Sequence, residues 1–191
     1  MVTGMILAGG CSTRAKTNKL LLQVDEKPLI LHTIDSMKPF VDHLIVVTGK
    51  YDQELRPYLK DVEVIYNKDY ELGMFSSVLA GIKNVDSDVI ILPGDMMNIS
   101  PNTFKSLLNN KGTITIPTYK GQNGHPLFLN KKMCELLKKE DVNSNLKLFV
   151  NKNSESINYI EVNDPFIKFD VDTMKDYQTL LNRRKELSYE S

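Results

Sequence analysis

Short apolar runs alternate with longer amphipathic stretches along almost the whole chain. Residues 2–7, 43–48, 62–66, 89–92, 113–117 and 157–162 are short, β-branched and apolar at nearly every position, which predicts strands of a parallel sheet covered on both faces. Between and after them, residues 28–37, 53–59, 76–82, 101–109, 131–139, 145–151 and 173–185 carry helical periodicity. Pro28 and Pro101 stand where a first helical turn tolerates proline, and Ser100 is a good N-cap. For the last helix, Asp172 or Thr173 is available as cap. The tail 186–191 is polar and expected to fray. Alternation of this kind predicts βαβ units in a three-layer α/β fold, with residues 1–191 as one domain and no repeat or linker.

The alternation breaks at residues 119–129, which read as a loop and a short strand. In open α/β sheets, ligands bind beyond the carboxyl ends of the strands. Residues 7–14, 93–97, 117–125 and 169–173 all follow predicted strands and are expected to converge on one crevice.

Composition narrows the function. The chain has 191 residues, 24 Lys plus Arg against 24 Asp plus Glu, and 41% hydrophobic residues. There is no global field to attract nucleic acid or an anionic membrane, so any anion site must be local. No apolar run approaches the ~20 residues that span a bilayer, and no signal peptide is evident. Cys11 and Cys134 form neither a disulfide framework nor a metal spacing. These features predict a cytoplasmic, reduced protein.

Candidate chemistry begins where the first strand ends, in Leu7-Ala8-Gly9-Gly10-Cys11-Ser12-Thr13-Arg14 with Lys19. Small residues let backbone N–H groups face an anion, Arg14 offers two parallel hydrogen bonds, and Lys19 adds a mobile charge. A strand, a glycine turn and two cations suit a polyphosphate. Gly94-Asp95-Met96 places a carboxylate just past a buried strand, aimed either at a hard cation or merely at its own turn. Asp170-Val171-Asp172-Thr173 adds a second acidic pair that alternates along a strand end. Asp172 can bind metal or cap the next helix, and Asp170 can bind metal or face solvent. In Gly73-Met74-Phe75-Ser76-Ser77, the serines can cap a helix or hold a base or ribose. His125 reads as a packed loop residue, a substrate contact or a ligand, while Cys11 beside the glycines reads as a small filler.

Taken together, the first loop with Lys19, Gly94-Asp95-Met96, Gly124-His125-Pro126 and Asp170-Val171-Asp172-Thr173 resemble the molybdenum cofactor nucleotidyltransferases, in order and over nearly the whole chain. Gly73-Met74-Phe75-Ser76-Ser77, Gly124-His125-Pro126-Leu127 and Val162-Asn163-Asp164-Pro165 look closest to the cytidylyltransferase branch, while Ala8-Gly9-Gly10 is similar to the guanylyltransferase branch. The resemblance implies a Rossmann-like α/β/α fold, a Mg2+–NTP substrate with CTP favoured, and transfer of a nucleoside monophosphate to a molybdopterin-type phosphate. It implies catalytic roles for Arg14, Lys19 and Asp95. It further implies nucleotide contacts from Leu7, Ala8, Gly9, Gly10, Ser12, Lys19, Gly73 and Ser77, a pterin-side contact from His125, and metal ligation by Asp95 with Asp172 or Asp170. A molybdoenzyme or its chaperone is an implied partner. The chain departs from the family pattern at Arg14-Ala15-Lys16, at Asn98 in place of a proline, and at Glu140-Asp141-Val142-Asn143.

Three alternatives accompany this reading: a GTP-using enzyme, a cytidylyltransferase of another small phosphate, and a non-catalytic cofactor-binding chaperone. A dinucleotide oxidoreductase would need Gly-x-Gly-x-x-Gly opening a helix, and Gly9-Gly10 leads into a charged loop instead.

Overall fold

The computed structural model describes residues 1–10 and 18–189, with 183–189 as backbone. The strands are β1 (Val2–Ala8), β2 (Gln23–Val24), β3 (Lys27–Pro28), β4 (His43–Thr48), β5 (Glu63–Tyr66), β6 (Asp88–Pro93), β7 (Ile114–Tyr119), β8 (Gln122–Asn123), β9 (Leu127–Leu129) and β10 (Ile157–Glu161). The helices are α1 (Leu29–Met37), α2 (Asp52–Leu55), α3 (Met74–Ile82), α4 (Pro101–Asn109), α5 (Lys131–Leu137), α6 (Leu146–Lys152) and α7 (Met174–Tyr189).

The main sheet runs β10-β7-β9-β6-β1-β4-β5, with β8 paired to β7. β1 lies inside it, between β4 and β6 and parallel to both. Its side chains alternate between faces, as a period of two requires. Val2, Ile6 and Ala8 join the core built with α1 and α4, while Met5 and Leu7 join the one built with α3, α5 and α6. Three layers follow from that alternation. Helix α1 buries Leu29, Ile30, Ile34 and Met37 against the sheet, each contributing about 2 kcal/mol of apolar transfer.

The sheet is mixed where the sequence suggested a parallel one, because β9 runs antiparallel between β6 and β7. Residues 119–129 contain no crossover helix, so the chain turns through β8 and returns antiparallel. Four further expectations change. Pro28 ends a small β2–β3 hairpin and is the N-cap of α1 rather than its first turn. The helix expected over 53–59 stops at Leu55 and tightens into a 3-10 turn, because Pro57 has no N–H to continue the ladder. Residues 169–173 form no strand; a 3-10 turn at Pro165–Lys168 leads into them. The last helix continues through Tyr189 instead of fraying at 186.

The parallel strands β1, β4 and β6 end together, with Leu7 beside Pro93 and Ala8 beside Thr48. Gly9, Gly49 and the Gly94-Asp95 turn therefore emerge side by side.

Candidate functional site

Four strand-end segments meet as the sequence suggested, and their backbones are tied together. Gly94 N–H donates to the Leu7 carbonyl at 2.9 Å, and Val171 N–H donates to the Asp95 carbonyl at 3.3 Å. His125 N–H donates to the Ile167 carbonyl at 2.7 Å, and Gly124 N–H to the Pro117 carbonyl at 2.9 Å. The stretches after β1, β6, β7 and the Pro165–Lys168 turn thus share one crevice.

Its charged half centres on Lys19. Asn18 caps the short 3-10 turn Lys19–Leu21 by accepting from Leu20 N–H, and Leu20 is buried, so the lysine stem starts from a fixed point. The Lys19 ammonium lies 2.5 Å from Asp95 Oδ2 and 2.8 Å from Asp172 Oδ1. The lysine and Asp95 side chains are only 17% and 13% exposed, against 44% for Asp172, so this pairing is far less screened than a surface ion pair. Burial alone would lower the Lys19 pKa, but Asp95 and Asp172 outweigh it and hold the group above its ordinary 10.5.

Asp170 completes the cluster: one oxygen from each of Asp95, Asp170 and Asp172 lies within 4.8 Å of the others. Partial burial of the Asp170 carboxyl, followed by Asp172 and Asp95, raises its pKa, against the pull of its own backbone N–H and Lys19. Three carboxylates so close demand cationic charge, and the lysine supplies one unit of it. Hard oxygens from two chain segments suit Mg2+ or Mn2+, which take few protein carboxylates and fill their shell with water and phosphate oxygens. The donor set therefore fits a divalent ion whose charge would add to that of Lys19.

Helix α7 is capped by the residue that follows Asp172. Thr173 N–H and Oγ1 donate to Asp176 Oδ2, and Asp176 N–H donates back to Thr173 Oγ1. This reciprocal box caps α7, so the capping alternative for Asp172 does not hold.

The neutral half lies across Gly9. A Cβ on Gly9 would stand 2.3 Å from Ser77 Oγ, so a glycine is needed for β1 to end against α3. The N-cap of α3 is Gly73, at φ +95°, rather than either serine. Ser76 Oγ instead points back at the Asp69 and Gly73 carbonyls, 2.9 and 2.8 Å away, and shares its one proton between them. Both serines accept from Asn67 Nδ2, at 2.8 and 3.0 Å, and Asn67 Oδ1 accepts from Asp69 N–H. Ser77 is buried beneath Gly9, whereas Gly10 is exposed. Leu7 and Ala8 are the last residues of β1 with side chains in the core, so only their backbone can serve a ligand.

His125 precedes a cis peptide bond to Pro126. Its Nδ1 is buried without a hydrogen-bond partner among the described residues. Burial lowers the imidazole pKa below 6.5, against the opposing charge of Asp170, so the ring is neutral near pH 7. Cys134 is a buried thiol, pushed up to about 12 chiefly by that burial, and is inert at neutral pH. Ser12, Arg14 and Cys11 lie outside the described residues. Asn98, which replaces a proline of the family pattern, sits at φ +68°, a conformation proline cannot adopt and asparagine tolerates.

Two contributors went unnoticed in the sequence. Asn67 is a polar residue directly after β5, a place where side chains commonly bond to nearby backbone. Thr33 is a hydroxyl among the buried positions of α1. A polar residue on an apolar helical face was the available signal for it.

A three-layer α/β sheet with acidic and glycine turns at its strand ends defines a nucleotidyltransferase type of fold. The chain belongs to the family of the MobA-like NTP transferase domain, which it matches over residues 4–156. It is 26% identical over 190 residues to the molybdenum cofactor cytidylyltransferase of Escherichia coli (strain K12), covering 96% of this chain and 97% of that one. Over 159 residues it is 30% identical to a probable molybdenum cofactor guanylyltransferase of Natranaerobius thermophilus, covering 77% and 75%. The crystal structure of Rv0371c from Mycobacterium tuberculosis H37Rv superposes with a TM-score of 0.82 at 22% identity, over 95% of this chain and 97% of that one. The same protein in complex with manganese gives 0.75 at 24% identity, over 95% and 98%.

Proposed function

We propose that the chain, acting as one domain, transfers CMP from CTP to the terminal phosphate of a molybdopterin-type cofactor. An oxygen of the acceptor phosphate attacks the α-phosphorus in line, the α–β anhydride bond breaks, and pyrophosphate leaves. No protein nucleophile is required, so catalysis consists of positioning and charge neutralisation.

The observation that carries this reading is the Lys19–Asp95–Asp170–Asp172 cluster at the common end of β1 and β6. On this reading Asp95 and Asp172 hold Mg2+, with Asp170 beside them. When bound, such an ion would supply positive charge to offset that of the triphosphate. Lys19 then exchanges its carboxylate partners for phosphate oxygens, and Arg14 adds a second cation from the loop. Backbone N–H groups from Gly9 to Ser12 cradle the phosphates. Gly73 and Ser77 border the base and ribose, and His125, neutral and next to Asp170, faces the acceptor. The manganese complex of a protein of the same fold supports a divalent ion. A relative named for cytidylyl transfer, similar over nearly its whole length, supports CTP and the cofactor as acceptor.

GTP is the second reading, and the relative named as a probable guanylyltransferase favours it. We place the protein in the cytoplasm, acting before a molybdoenzyme or its chaperone. The placement is supported by a free buried thiol and by the lack, among the described residues, of any helix long and apolar enough to cross a membrane.

The test is pyrophosphate release and dinucleotide formation with molybdopterin and each NTP, with and without Mg2+. Metal-dependent CMP transfer is expected. GTP turnover would move the chain to the guanylyl branch. Binding of cofactor without turnover of any NTP would make it a chaperone.

A further inference from the structure

Thr33 is fully buried on α1, where Leu29, Ile30, Ile34 and Met37 are its buried neighbours on the helix. Valine would fill the same volume there without a hydroxyl to satisfy. The hydroxyl has a partner far along the chain: Thr33 Oγ1 donates to the Gly94 carbonyl at 2.9 Å and lies 3.4 Å from the Met96 and Leu29 carbonyls. The Gly94 carbonyl belongs to the peptide plane that carries the Asp95 nitrogen, so holding that oxygen fixes the backbone torsion from which the Asp95 carboxylate projects. Two further groups of the turn are committed, Gly94 N–H to the Leu7 carbonyl and the Asp95 carbonyl to Val171 N–H.

We propose that Thr33 is a positioning residue for metal binding, orienting Asp95 through the Gly94–Asp95 peptide without touching the ion or the nucleotide. The inference rests on the reading of Asp95 as a metal ligand. Partners that orient a ligand from behind are typically worth ~10–100-fold in metal affinity or activity. In Thr33→Val the Gly94 carbonyl loses its buried donor, the peptide plane is free to rotate, and the carboxylate leaves its place beside Asp170 and Asp172.

The test is Mn2+ binding by the full chain, followed by electron paramagnetic resonance, with thermal unfolding measured in parallel. The variants are Asp95→Asn, Thr33→Val, Thr33→Ser and Thr33→Ala. Serine and alanine both lack the methyl group and differ only in the hydroxyl, so that pair decides the matter even if Thr33→Val does not fold. The expected result is Mn2+ affinity lowered ~10–100-fold in Thr33→Val and in Thr33→Ala, with Thr33→Ser close to wild type. Lowered thermal stability with wild-type Mn2+ affinity in both hydroxyl-free variants, while Asp95→Asn loses the ion, would overturn the role of Thr33 and leave the metal reading standing. No binding by wild type, or unchanged binding in Asp95→Asn, would overturn the metal reading and the inference with it.

Discussion

The two halves of the crevice are built on different physics. Around Lys19, one ammonium faces three carboxylates from segments far apart in sequence, with Lys19 and Asp172 separated by 153 positions. Around Gly9, neutral amide and hydroxyl groups are fixed by short hydrogen bonds, and Asn67 reaches Ser77 only ten positions away. The charged half is poised to exchange partners, because an ammonium shared by two carboxylates can be drawn away by phosphate or replaced by a metal ion. The neutral half is pre-formed, with Ser76 and Ser77 held before any ligand arrives. Removing a charge should therefore alter metal dependence and rate, whereas removing the Ser77 hydroxyl should alter nucleotide affinity alone.

The largest effect is expected from Lys19→Ala, which loses a charge-stabilising donor and should lower turnover ~100–1000-fold. The same change removes the lysine charge that offsets part of the Asp95, Asp170 and Asp172 cluster. Its melting temperature should fall in metal-free buffer and recover with Mg2+, as differential scanning fluorimetry would show. A loss that Mg2+ fails to restore would mean that the ion does not enter this cluster.

Within the cluster, Asp172→Asn should raise the Mg2+ needed for half-maximal turnover more than Asp170→Asn does. Asp172 pairs directly with Lys19, while Asp170 stands aside with its pKa raised. Metal titrations of the two variants would show a reversed order if Asp170 is the principal ligand.

On the neutral side, Ser77→Ala removes one buried hydrogen bond, worth about 1 kcal/mol, or a several-fold rise in KM for the nucleotide. Asn67→Ala should do more, since it frees both serines and the Asp69 amide. Steady-state kinetics should place both effects in KM and leave the Mg2+ midpoint unmoved.

The smallest effect concerns His125. Burial holds its pKa below the ordinary 6.5, so as pH falls through that value the unfolded chain takes up a proton that the fold resists. Wild-type stability should decline there by at most ~1.4 kcal/mol per pH unit, and His125→Gln should flatten the slope in urea titrations across pH 5–7. An unchanged slope would mean that the buried imidazole is accessible to protonation.

Legibility in the sequence followed the reach of each signal. Strand runs and helix faces are local patterns, so every strand of the fold but the short β2, β3 and β8 was visible in the sequence, and β9 was visible as a short strand without its direction. The antiparallel β9 was hidden because direction depends on a crossover that the sequence shows only as a missing helix. Asp95 and Lys19 announced themselves through turn position and loop charge. That Thr173 rather than Asp172 caps α7 did not, since it depends on a reciprocal bond between Thr173 and Asp176. Thr33 and Asn67 act through carbonyls and hydroxyls brought up from other elements, and no local pattern records such partners.

The central claim is that the acidic cluster governs metal-dependent transfer while the Gly9–Ser77 side governs the nucleotide. Turnover measured against Mg2+ concentration for wild type, Asp95→Asn and Ser77→Ala tests it most directly. The account predicts that Asp95→Asn loses saturable metal dependence, and that Ser77→Ala keeps the wild-type midpoint with a raised KM for the nucleotide. An Asp95→Asn enzyme with the wild-type metal profile would contradict it and reduce Asp95 to a turn residue.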